Sequence, residues 1–162
     1  MYITRNLDIA KQYLFSRYDG LFEKRYGYLA SSKAKNLEQY GIDNSYLTTR
    51  KLREGPWYND PPFSPDSCCQ LKKVATEFAC QGLELDFPII CWGDDLIWRN
   101  SNWYSCPPGP RSKARDPHSL RLNSYRVLLT RGRDGFVIFV PPEANMETTC
   151  CALISAGISE LN

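Results

Sequence analysis

The run Phe87-Pro88-Ile89-Ile90-Cys91-Trp92 decides the fold. It is short and apolar at successive positions, so both of its faces are buried, and six residues are too few for a helix of ordinary length. Pro88 stands at its entry, where a missing N–H is tolerated. Phe136-Val137-Ile138-Phe139-Val140 reads the same way and is closed by Pro141-Pro142. Working outward, Lys73–Phe78 and Tyr26–Ala30 are two further short runs. Helical periodicity separates several of these runs. Strands buried on both faces and joined through helices make an α/β protein with a mostly parallel sheet of four or five strands and helices on both faces.

The helices follow from caps and stripes. Asn6 caps a helix to about Tyr18, with Leu7, Ala10, Leu14 and Tyr18 on one side and Gly20 just past its end. Ser31 and Ser32 offer caps for a helix to about Tyr40, stopped by Gly41. Ser119–Arg131 is helical, and Thr148 or Thr149 starts a last helix that stops at Gly157. Residues 42–70 and 93–117 are rich in Pro and Gly and poor in periodicity, so they read as irregular insertions in one domain spanning 1–162. In the first, Trp57 and Tyr58 are the expected anchors.

Twenty Lys+Arg against eighteen Asp+Glu leave a net charge of +2, which excludes a strongly basic nucleic-acid coat but not a local basic face. No apolar run approaches the ~20 residues of a membrane span, so no membrane partner is expected. Residues Met1–Asn6 hold no apolar signal core, and the expectation is a cytoplasmic chain. The seven Cys include the vicinal pairs Cys68-Cys69 and Cys150-Cys151; they read as reduced thiols used as small apolar side chains. With no C-x2-C pair and His118 as the only His, no metal site is expected.

Three clusters are candidates for chemistry. Thr76 to Asp86 joins two strands through Gln81-Gly82-Leu83-Glu84, a polar turn whose Gly lets backbone N–H groups approach a phosphate; it also reads as a plain connecting turn. Tyr125 to Arg133 sets Arg126, Arg131 and Arg133 around a helix end, suited to phosphate contact or simply to the negative end of the helix dipole. Arg25 to Lys35 ends a strand in Ser31-Ser32 beside Lys33 and Lys35, a phosphate contact or an ordinary N-cap.

In this order the clusters resemble motifs IV, V and VI of the second RecA-like domain of superfamily 1 helicases. Thr76…Gln81-Gly82-Leu83-Glu84…Asp86 is similar to motif V, and Tyr125-Arg126-Val127-Leu128-Leu129-Thr130-Arg131-Gly132-Arg133 to motif VI. The nearest resemblance is to Schlafen-group-3-like DNA/RNA helicase domains, through the stretches ASSKAKNL, GPWYND, EFACQGLELD, CWGDDL and YRVLLTRGRDG. The resemblance implies a RecA-like domain forming half of a motor. ATP and Mg²⁺ would be held by an N-terminal RecA-like partner, and DNA or RNA would be the track. It also implies that Arg131, with Arg126 as second candidate, reaches the γ-phosphate, that Gly82, Glu84 and Gln81 lie near the nucleotide, and that Thr76, Ser32 and Lys33 face nucleic acid.

The chain departs from the motor pattern by having no G-x-x-x-x-G-K-[ST] and no Asp-Glu pair ending a strand ahead of these motifs. A finger accelerates an assembled site by ~10³–10⁵-fold but cannot assemble one. The expectation is that this chain alone neither binds ATP tightly nor hydrolyses it. The start at Met1 suggests a truncated or separately encoded half, or a relic. Two other classes stay open: a Mg²⁺-dependent nuclease using Glu84, Asp86, Asp94 and Asp95 with Lys72 and Lys73, and an interaction module displaying Trp57, Tyr58 and Trp103.

Overall fold

The computed structural model describes residues 1–107 and 115–162; the part of the expected irregular stretch at 108–114, with Pro108, lies outside the described residues. The protein is α/β, as expected, with a six-stranded sheet rather than four or five strands. Its strands are β1 (Tyr2–Thr4), β2 (Tyr28–Ala30), β3 (Val74–Thr76), β4 (Ile89–Cys91), β7 (Val137–Phe139) and β8 (Ser159–Glu160), in the order β3-β2-β4-β7-β1-β8. Every pairing in this sheet is parallel. All residues of β2, β3, β4 and β7 are buried, which is why these strands read as unbroken apolar runs. Strands β1 and β8 were not expected, being three and two residues long and lacking a run of their own.

Chain order and sheet order together place the helices. Parallel crossovers are right-handed. The connections from β1 to β2 and from β2 to β3 run toward one edge of the sheet, so α1 (Leu7–Arg17), α2 (Tyr46–Thr49) and α3 (Glu54–Asn59) lie on one face. Connections from β4 to β7 and from β7 to β8 run the other way and put α4 (Pro117–Leu129) and α5 (Glu147–Ser155) on the opposite face. The Asn6 cap is present, its side chain accepting from the Asp8 amide at 2.9 Å. Asp116 caps α4 by accepting from the Ser119 amide at 2.9 Å, with Pro117 in the first turn.

Three expectations are corrected. The helix foreseen from Ser31 to Tyr40 is a series of turns with a single 3-10 turn at Glu38–Tyr40, although Gly41 does stop it at φ 77°. Its backbone groups are claimed from a distance instead: Ser32 N–H by Glu77, Lys35 N–H by Asp94, and the Ser31 and Ala34 carbonyls by the Asn44 amide. Residues 42–70 are not irregular but carry α2, α3 and a 3-10 turn at Cys68–Gln70. Within 93–117 a hairpin forms from β5 (Leu96–Arg99) and β6 (Asn102–Ser105), turning at Asn100 and Ser101 with φ 49° and 60°. Two successive positive φ values give the tight turn whose twist suits a hairpin, and Asn tolerates that region better than most residues. Trp98 and Trp103 face each other across it, ring centroids 5.1 Å apart.

Candidate functional site

The carboxyl ends of β2 and β4 form a topological switch point, because the chain leaves these neighbouring strands toward opposite edges; in open α/β sheets that crevice is where ligands bind. Here it is filled by the protein's own charges. Arg121 reaches down from α4 and donates from Nε to Asp95 Oδ2 at 3.0 Å, and from Nη1 to Ser31 Oγ at 2.7 Å and Glu77 Oε1 at 3.3 Å. Ser31 Oγ donates to Asp95 Oδ2 at 2.5 Å, and the Tyr125 hydroxyl donates to Asp95 Oδ1 at 2.7 Å while accepting from the Gly93 N–H. Glu77 accepts from both the amide and the hydroxyl of Ser32, at 2.7 and 2.9 Å. The Asp95 side chain is 0% exposed, Glu77 5% and Arg121 13%. Burial pushes the Asp95 carboxyl up from its ordinary range, against the pull of Ser31, Tyr125 and Arg121. The loops pack so tightly at this point that a Cβ on Gly93 would lie 2.1 Å from that of Ala34.

This network was missed from the sequence. Arg121 stands four residues before Tyr125 on the face that Tyr125 and Leu128 bury, a charge on an apolar stripe, and Glu77 and Asp95 each follow a buried strand. Those were the available signals. Ser32 is tied up by Glu77, so its amide is not free for a phosphate and the expected helix N-terminus is absent. What remains open around Ser32 is the exposed Lys33 and a cleft of about 410 Å³ lined by Ser32, Lys33 and Thr76 together with Tyr46, Arg50 and Phe78. The three residues expected to face nucleic acid are therefore brought together.

The nucleotide candidates lie at the opposite end of the strands. The chain carrying Leu85 pairs in parallel with Gly132 upstream of β4 and β7, so Glu84, Arg131 and Arg133 belong to the amino edge, not the carboxyl edge where the chemistry of such sheets was sought. The Leu85 N–H donates to Arg131 O at 2.8 Å and the Arg133 N–H to Leu85 O at 2.8 Å, locking the two expected motifs together. Gly132 is required there: a Cβ would sit 2.0 Å from the Gly135 carbonyl oxygen. The half-buried Arg131 folds back on the end of α4, donating from Nε to Val127 O at 3.1 Å, from Nη2 to Thr130 Oγ1 at 3.1 Å and from Nη1 to Leu83 O at 3.5 Å. All three acceptors are neutral, and among the described residues Arg131 makes no salt bridge. Its guanidinium stands close enough to oppose the burial that pushes the Cys80 thiol up to about 11. Arg133 instead pairs with Glu84 at 3.0 Å on the open surface. Arg126 is exposed and bonds Asn123 at 2.9 Å; Gln81 and Gly82 are exposed in the turn leading to Leu83.

Neither remaining alternative finds its residues assembled. Asp86 is held at the amino edge by Lys24 Nζ at 3.0 Å and the Arg25 N–H at 2.8 Å, Asp95 is buried at the carboxyl edge, Asp94 accepts from the Lys35 N–H, and Lys73 pairs with Asp66. Among the described residues no group of three or more His, Cys, Asp or Glu side chains could hold a metal ion. Trp57 is buried beside Gly27, Trp103 packs between Trp92 and Trp98, and the Tyr58 hydroxyl donates to Glu84 O, so these aromatics anchor loops rather than display a partner surface. Among the described residues no helix is long and apolar enough to cross a membrane. A family model described as "Schlafen group 3, DNA/RNA helicase domain" matches residues 1–142. No curated protein and no solved structure matches the chain.

Proposed function

From the premise that this chain belongs to the Schlafen group 3 DNA/RNA helicase domain family, we propose that it is the second motor half of a superfamily 1 helicase-like ATPase. It presents Arg131 to an ATP held by a separate RecA-like domain, and it meets DNA or RNA at the carboxyl edge around Thr76, Ser32 and Lys33. The observation that carries this reading is the state of Arg131. A finger must be aimed yet keep its charge for the phosphate. The Val127 and Leu83 carbonyls and the Thr130 hydroxyl orient the guanidinium without neutralising it, whereas the neighbouring Arg133 spends its charge on Glu84. Such a cation, fixed before the reaction, stabilises the charge spread over the transferring phosphoryl group.

The residues here fit the finger and not the rest of a nucleotide site. There is no phosphate loop to cradle a triphosphate, and Arg121, Asp95 and Glu77 fill the crevice at the switch point. Bound Mg²⁺ would supply charge neutralisation from the partner's side. Leu83 and the backbone ladder between Leu85 and Gly132 hold Arg131 in place; Gln81, Gly82 and Glu84 are exposed on either side of Leu83 and in this reading would face the nucleotide. The test is complementation. The chain is mixed with a RecA-like domain that carries the phosphate loop of the same family, and ATPase activity is followed. The expected result is no turnover from this chain alone, a gain on mixing, and loss of that gain by ~10³-fold or more in Arg131→Ala, with Arg126→Ala close to wild type. No gain on mixing, or a gain indifferent to Arg131, overturns the reading.

A further inference from the structure

The cleft at the carboxyl ends of β2 and β3 carries two large side chains that serve no core. Tyr46 is 76% exposed and Phe78 is 68% exposed. Tyr46 opens α2, which packs against β3, and Phe78 follows β3 directly. The next residue back, Glu77, is turned inward to Ser32 and Arg121, so the chain throws Phe78 outward beside Thr76. Both rings line the same cleft of about 410 Å³, and Lys33 and Arg50 line it with them. The Arg50 guanidinium lies 5.8 Å from the centroid of the Tyr46 ring, so a cation backs one ring. Against these two cations the cleft sets one carboxylate, Glu54.

We propose that Tyr46 and Phe78 are stacking platforms for unpaired bases, so that this cleft selects single-stranded over double-stranded nucleic acid. The inference rests on the reading of the carboxyl edge as the nucleic-acid face and names the rings that do the selecting. Flat π faces beside long flexible cations suit bases on a charged backbone, because every base offers a face and every linkage a phosphate. A base inside a duplex has both faces covered by its neighbours and offers the rings nothing. The Ser32 amide, which could have cradled a phosphate, is taken by Glu77. Phosphate contact therefore falls to the side chains of Lys33 and Arg50, which follow a strand without reading its sequence.

The experiment measures anisotropy of a fluorescein-labelled oligothymidylate and of a labelled duplex of equal length, across a salt series. The single strand is expected to bind more tightly. Tyr46→Ala and Phe78→Ala should each weaken it by about 5- to 150-fold, the range for losing one stacked base, and leave duplex binding unchanged. Tyr46→Trp and Phe78→Trp should hold near wild-type affinity. Lys33→Ala and Arg50→Ala should each flatten the slope of log affinity against log salt by about 0.7. Both rings are exposed, so thermal midpoints should not move. Equal affinity for the two probes, no binding of either, or alanine variants that bind like wild type would overturn the proposal; the last is the outcome if the rings dock an apolar peptide instead. The two readings fail separately: ring-dependent binding without complementation leaves the stacking site and removes the motor, and Arg131-dependent complementation with silent rings does the reverse.

Discussion

Replacing Arg121 by Met tests whether the buried network at the switch point is held by its one cation. The substitution keeps the length of the stem and removes three donors, those to Asp95, Ser31 and Glu77. Two carboxylates then remain at 0% and 5% exposure with no counter-charge. Removing one partner of a buried pair costs about 3–5 kcal/mol, a large share of the ~5–15 kcal/mol that holds an ordinary domain together. At about 2–4 °C per kcal/mol for a chain of this size, the thermal midpoint should fall by roughly 6–20 °C at pH 7. The loss should also depend on pH. Burial already raises the Asp95 carboxyl above its unfolded value, and without Arg121 it rises further. A carboxyl raised in the folded state binds its proton more readily there than in the unfolded chain. Stability is therefore greatest below the unfolded value and is lost as pH rises through the folded one. The deficit should be deepest near pH 8 and shrink as pH falls toward 5. Urea unfolding followed by tryptophan fluorescence at several pH values measures it. Adding Asp95→Asn to Arg121→Met should return about 1–3 kcal/mol. A loss below about 1 kcal/mol that is flat with pH would refute the reasoning.

Gly132→Ala puts a Cβ 2.0 Å from the Gly135 carbonyl oxygen, so it should destabilise by about 1–3 kcal/mol; displacing Arg131, it should also lower complementation more than that loss explains, measured by denaturant titration beside ATPase activity. Thiol reactivity should divide the cysteines: Cys106 and Cys151 are exposed and should react quickly with a chromogenic disulfide, while Cys68, Cys69, Cys80, Cys91 and Cys150 are buried and should wait for denaturant. More than two fast equivalents would refute that packing.

Much of the scaffold was readable because its signals are local. Tyr28–Ala30, Ile89–Cys91 and Val137–Phe139 are buried on both faces, and a run apolar at every position needs no partner to be recognised. Asn6 and Gly41 mark ends through bonds or φ values within a few residues of themselves. Trp57 was expected to anchor its loop and is 1% exposed. Where several signals agreed, as at Ser31–Tyr40, they were still overruled, because Glu77, Asp94 and Asn44 bring better partners from elsewhere in the chain. Tertiary structure alone decided the site. Arg121 meets Ser31 across 90 positions and Glu77 across 44, and no local pattern encodes such meetings. The ladder between Leu85 and Gly132 put Arg131 at the amino edge, while strand direction left Thr76, Ser32 and Lys33 at the other. Periodicity and caps are properties of neighbours along the chain and so survive in the sequence. Which charge answers which, and at which end of the sheet, depends on strand order and register, and these exist only once the sheet has formed.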